Sequence, residues 1–147
     1  MRRTPALVLL TTALPVAVLV GAAACAQPGE VLLDLCTPGG ASDPYEGAVS
    51  LEVEAQGEVE ARSRFSLAEG PRFEEPLAYP QGATITLEAR VLDEAETPLA
   101  RGTTPPFTVA PKTEVCICLV RTPDAALCQG RGCRYLADEQ RCTFFDR

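Results

Sequence analysis

The chain has no histidine and no tryptophan, and a single lysine, Lys112. Without histidine the commonest general base and metal ligand is missing, so Ser-His-Asp and Cys-His catalysis are excluded. Serine–lysine chemistry would have to use Lys112, which stands beside Pro111 at the start of a strand-like segment. Basic charge is also scarce: 13 Lys and Arg face 20 Asp and Glu, a net charge of −7 over 147 residues. Such a chain cannot neutralise the phosphates of a nucleic acid and has no electrostatic pull toward an anionic bilayer. No nucleic-acid partner is therefore expected. Helical periodicity is lacking beyond the N-terminus, where the apolar residues recur with period two.

The N-terminus is built differently. Arg2 and Arg3 precede an apolar run from Ala6 to Val20, and Gly21-Ala22-Ala23-Ala24 supply small residues. This is the layout of an export signal, expected over residues 1–24 and excluded from the fold. The apolar run is short for a membrane span and contains Pro15. Residues 25–147 then carry 11 basic and 20 acidic groups, net −9.

Seven cysteines are present. Setting Cys25 aside leaves Cys36, Cys116, Cys118, Cys128, Cys133 and Cys142, an even set that reads as disulfides in an exported chain. A thiolate zinc site is the alternative, but the spacing lacks paired C-x-x-C knuckles. The expected pairing is Cys133–Cys142 within the tail, Cys128 with Cys116 or Cys118, and Cys36 with the other. Cys116 and Cys118 sit two apart in a strand-like run, so both project from one face while Val115, Ile117 and Leu119 project from the other.

The segment between is a series of short strands. Val49, Leu51, Val53 and Ala55 alternate with polar residues, as do Val59, Ala61, Ser63 and Phe65. A three-residue turn, Gln56 to Glu58, keeps both faces consistent, pairing Val53 with Ala61, Glu52 with Arg62 and Val49 with Phe65. Further strands are expected at Glu30–Cys36, Phe73–Tyr79, Thr84–Leu92, Leu99–Gly102 and Phe107–Val109, with an acidic turn at Asp93–Thr97. Phe65, Phe73 and Phe107 are expected in the core. The fold class is all-β: an antiparallel β-sandwich of about seven strands with a short disulfide-stapled C-terminal tail. The expected division is a tether at 25–30, the sandwich at 31–120 and a cysteine-rich tail at 121–147. The tail reverses the charge balance, from net −10 over 25–120 to +1 over 121–147. It is expected to open with a helical turn capped by Asp124 after Pro123, and it is too short to bury its own core.

No catalytic, cofactor-binding or metal-binding residue is expected. The pairs Glu52/Glu54, Glu58/Glu60 and Glu74/Glu75 read as solvated charge on strand faces and turns. Asp93-Glu94-Ala95-Glu96 lacks the spacing of a calcium loop, and Gly130-Arg131-Gly132 lacks the context of a phosphate loop. Arg134, Tyr135, Arg141, Phe144 and Phe145 form one cluster of aromatic and arginine residues suited to a contact surface, or else to docking the tail.

Two resemblances add expectations. Ala22-Ala23-Ala24-Cys25 resembles a bacterial lipobox, with Ala22 where the family usually has a large aliphatic residue. It implies lipidation of Cys25, and Ala26 in the next position implies the outer membrane. The same residues also fit ordinary signal-peptidase cleavage before Gln27, which implies a periplasmic or secreted chain. Gly82 to Val109, with its long strand, acidic turn and Phe107-Thr108-Val109 strand, resembles immunoglobulin-like or transthyretin-like domains of bacterial surface lipoproteins. The expected function is a non-enzymatic cell-envelope lipoprotein, anchored in a membrane and binding an unknown protein or glycan. Alternatives are a secreted disulfide-rich inhibitor or effector acting through the tail, and a small carboxylate-dependent envelope hydrolase.

Overall fold

A computed structural model describes residues 27–70, 76–136, 138, 139 and 141–146, with the side chains of Tyr135 and Cys142 left out. The expected signal segment, Cys25 and Phe73 lie outside the described residues. Among those described, β-strands dominate and no helix is long and apolar enough to cross a membrane. The strands are β1 (Pro28–Cys36), β2 (Ser50–Gly57), β3 (Ala61–Ser66), β4 (Leu77–Pro80), β5 (Thr84–Leu92), β6 (Pro98–Thr103), β7 (Phe107–Thr108), β8 (Lys112–Cys118), β9 (Val120–Arg121), β10 (Arg131–Leu136) and β11 (Arg141–Asp146). A 3-10 helix, Thr122–Cys128, joins β9 to β10. The first strand opens at Pro28, so residues 28–30, expected in a tether, pair with β4 instead.

Two sheets enclose the core. One has the order β4-β1-β8, the other β3-β2-β5-β6-β9 with β7 also on β5. Alternation sends Leu51, Val53, Ala55, Ile85, Leu87, Ala89 and Val91 inward from the larger sheet, against Val31, Leu77, Tyr79 and Ile117 from the smaller. Phe65 and Phe107 pack on this cluster partly buried. β1 and β8 run parallel, with Asp34 beside Cys116 and Cys36 beside Cys118. The expected all-β, antiparallel sandwich is what the strands form, with this one parallel pair as the exception. A parallel pair needs a long crossover, and here the crossover carries every strand of the second sheet except β9.

The β2–β3 hairpin differs from its expected register by two residues: Val53 faces Ser63, Glu54 faces Arg62, Leu51 faces Phe65 and Ala55 faces Ala61. The parity holds, so the same faces are buried. The turn is wider because β2 continues through Gly57 on its other side, where Gly57 pairs with Ile85. At Gly57 φ is 126°, and a Cβ there would lie 2.7 Å from the Thr84 carbonyl oxygen, so only glycine lets the two strands approach this closely. Val49, expected inward, precedes β2 and is 38% exposed, its N–H and carbonyl used by Leu92 and Leu67.

On the outer face of the larger sheet, Glu52 and Glu54 are flanked by arginines from both neighbouring strands. Arg62 lies 3.2 Å from Glu54 and 3.8 Å from Glu52; Arg90 contacts Glu54, lies 3.8 Å from Glu52 and 3.4 Å from Glu88. At the β5–β6 turn, the Asp93 carboxylate accepts the Ala95 and Thr97 N–H groups at 2.9 and 2.8 Å. That carboxylate is spent on closing its own turn.

Candidate functional site

The tail is fixed where β8 leaves the smaller sheet and crosses to the larger one as β9. Ile117 and Leu119 go into the core, which turns Cys116 and Cys118 outward. Cys118 is bonded to Cys128 at the end of the 3-10 helix, and Cys116 to Cys133 of β10. The expectation of Cys128 with Cys116 or Cys118 is met by Cys118. The expected Cys133–Cys142 bridge is corrected, because β10 lies against β8 and brings Cys133 to Cys116. Cys36 is itself disulfide-bonded. It is not joined to Cys116 or Cys118, whose sulfurs are taken, although its Sγ packs 3.0 Å from that of Cys116. The Sγ atoms of Cys36, Cys116 and Cys133 lie within 4.8 Å of one another, so strands β1, β8 and β10 meet at one sulfur cluster.

Polar contacts tie the β1–β2 loop to the same junction. The Ser42 N–H donates to the Asp124 carboxylate at 2.8 Å, which holds that carboxyl below its usual range. Arg121 donates to the Asp43 carbonyl at 2.7 Å and also to the Glu46 carbonyl. Asp124, expected as the helix cap, is therefore a tether. The helix begins earlier, with Arg121 in the cap position, and its first turn reaches across to the loop.

Beside the disulfides lies a cleft of about 480 Å³. Its floor is Val120, Ala125 and the Cys116–Cys133 and Cys118–Cys128 bridges; Arg101 and Arg131 stand in its walls. β9 pairs only with Ala100 and Arg101 of β6, so the β6 edge at Gly102 and Thr103 opens into the cleft. A Cβ at Gly102 would lie 2.2 Å from the Cys118 carbonyl oxygen, so glycine sets how closely the two sheets approach at the cleft floor. Among the described residues, no carboxylate lines this space.

A second cavity of about 290 Å³ lies across the sulfur cluster, lined by Asp34, Glu114, Val115, Cys116, Cys133 and Arg134. Burial, then the nearby charge of Glu114 and a hydrogen bond with it, pushes the Asp34 carboxyl above its ordinary value. The two carboxyls lie on the outer side of β1 and β8 and line one cavity. This pair was not expected from the sequence. Its signal is there: Asp34-Leu35-Cys36 and Glu114-Val115-Cys116 each place an acid two residues before an outward cysteine, on one strand face. Arg101 was missed because it lies far in sequence from the tail that faces it.

The expected aromatic–arginine cluster is divided by the β10–β11 hairpin. Gly132 pairs with Phe145, Arg134 with Thr143, and Leu136 with Arg141, so Arg134, Arg141 and Phe145 share one face. Arg134 is exposed, Arg141 bonds Glu139, and Phe145 is 51% exposed, its ring lying over Gly132. Phe144 pairs with Cys133 and shares the face that the disulfide turns toward the sandwich. The side chain of Tyr135 lies outside the described residues. Of the side chains described, Arg134, Arg141 and Phe145 thus lie on one hairpin face and Phe144 on the other. No family model matches the chain, and no curated protein or solved structure matches it.

Proposed function

We propose that the chain is a non-enzymatic, exported binding module of the cell envelope, tethered by a lipid on Cys25, and that it holds its ligand in the cleft between sandwich and tail. The observation that carries this reading is the cleft. Two disulfides fix its floor and hold the tail as one of its walls, and a covalently pinned concavity keeps its shape without a ligand. Among the described residues the lining has arginine, threonine and apolar groups and no carboxylate, which favours binding over chemistry. The N-terminal signal and the disulfides favour an oxidising compartment.

Ala125 is exposed on the 3-10 helix and lines the cleft, so Ala125→Trp fills it without disturbing the core. The test immobilises the exported protein and its Ala125→Trp variant, passes envelope extract over both, and identifies retained molecules by mass spectrometry. Retention that disappears with the tryptophan supports the reading; identical retention by both overturns it. Mass spectrometry of the mature N-terminus tests the anchor. A diacylglycerol-modified Cys25 is expected, and a chain starting at unmodified Gln27 would remove the lipid from the proposal.

A further inference from the structure

We infer that the cleft takes a small amphipathic anion: a carboxylate, sulfate or phosphate group on a short apolar body. This rests on the cleft reading above and adds the chemistry of the occupant. The pairing of the arginines points to it. Arg62, Arg64, Arg90 and Arg141 each lie against a carboxylate, and Arg121 is spent on two backbone carbonyls. Among the described residues, Arg101, Arg131 and Arg134 have no hydrogen-bonding or ion-pair partner; Arg134 lines the smaller cavity with Asp34 and Glu114, and Arg101 and Arg131 line the cleft.

Competing carboxylates nearby do not take them. Asp146 stands opposite Arg131 in the hairpin without forming an ion pair. Arg101 stands opposite Arg90, and the acids around Arg90 (Glu52, Glu54 and Glu88) are engaged by that side chain. A cleft with two cations, no acid and low-dielectric walls focuses positive potential even though the whole chain is net −7. Guanidinium groups match planar oxyanions with paired N–H donors. The hydroxyls of Thr103 and Thr122, also in the lining, are further donors, and the floor of Val120, Ala125 and disulfide sulfur suits an apolar body.

The test is an NMR titration of the exported protein, disulfides intact, with hexanoate, hexyl sulfate, hexanol and hexylammonium. The two anions should shift the amides of Gly102, Thr103, Cys118 and Ala125 and bind about tenfold more tightly than hexanol at low salt. The advantage should shrink as salt is added. Arg101→Gln and Arg131→Gln should each lose about tenfold while keeping the amide fingerprint of the folded chain; Arg62→Gln, on β3 three strands away from β6, should lose nothing. Equal binding of hexanol and the anions, or unchanged affinity in both arginine variants, overturns the anion assignment. The cleft itself then stands if Ala125→Trp still abolishes hexanol binding. If no probe shifts the cleft amides, or if Ala125→Trp leaves those shifts unchanged, the cleft reading falls and takes the anion with it.

Discussion

Single residues at the junction are set by what their neighbours leave them. Asp34 is the clearest case. Outward alternation on β1 puts it near Glu114 of β8, in a cavity that Cys133 and Arg134 of the tail also line; Asp34 is half-buried there and Glu114 exposed. Its ordinary value of 3.8 is raised by burial first and by Glu114 second. A carboxyl whose folded value is raised keeps its full stabilising effect below the ordinary value and loses it as pH rises through the folded one. Asp34→Asn, which cannot ionise and still offers Glu114 a hydrogen-bond donor, should therefore stabilise the protein at pH 7. The gain should be about 0.5 kcal/mol, the scale of a partly solvated charge pair. Below pH 3.8 the gain should vanish. Urea unfolding of both chains at the two pH values reads this directly. A variant less stable at pH 7, or equally improved at both, would show that the carboxylate has a stabilising partner.

Elements were legible where a local pattern decides them. Period-two alternation located β2, β3, β5 and β8 and their buried faces, because every inward side chain of a strand must be apolar to be buried there. Register was less legible. The β2–β3 turn is wider than its sequence suggests because Gly57 serves β5 rather than the hairpin, a constraint from a strand twenty-odd residues away. The parallel partnership of β1 with β8 has no local signal at all, since strand partners are chosen by the whole core. At this scale the outer-face charges also sort by burial. The Arg90 side chain is 25% exposed and bridges three glutamates, whereas Arg62 is 60% exposed. Arg90→Met should cost about 2 kcal/mol, because Glu52, Glu54 and Glu88 are left crowded and partly desolvated. Arg62→Met should cost about 0.5 kcal/mol or less. Equal midpoints in urea for the two variants would mean that the bridge contributes no more than a surface pair.

For the molecule as a whole, the question is whether sandwich and tail are one cooperative unit. The six cysteines of residues 26–147 announced a stapled tail, but their pairing could not be read from sequence because it depends on where β10 docks. The sandwich has its own core, contributed from both sheets, and among the described residues none of its buried apolar side chains comes from the tail hairpin. Among its described residues the tail has no comparable cluster. It is held by Cys116–Cys133 and Cys118–Cys128, each worth about 3 kcal/mol in the chain-entropy account, and by the Asp124 and Arg121 contacts to the β1–β2 loop. Opening the bridges with a dithiol should therefore release the tail without unfolding the sandwich. In hydrogen-exchange mass spectrometry, peptides covering residues 122–146 should lose at least tenfold in protection, and those covering β5 should keep theirs. Simultaneous loss in both would make the disulfides part of the global fold. Selective loss would also remove one wall of the cleft, so the reduced chain should lose whatever the oxidised cleft binds while its core strands stay protected. That combination separates a tail that shapes a binding site from one that merely adds stability.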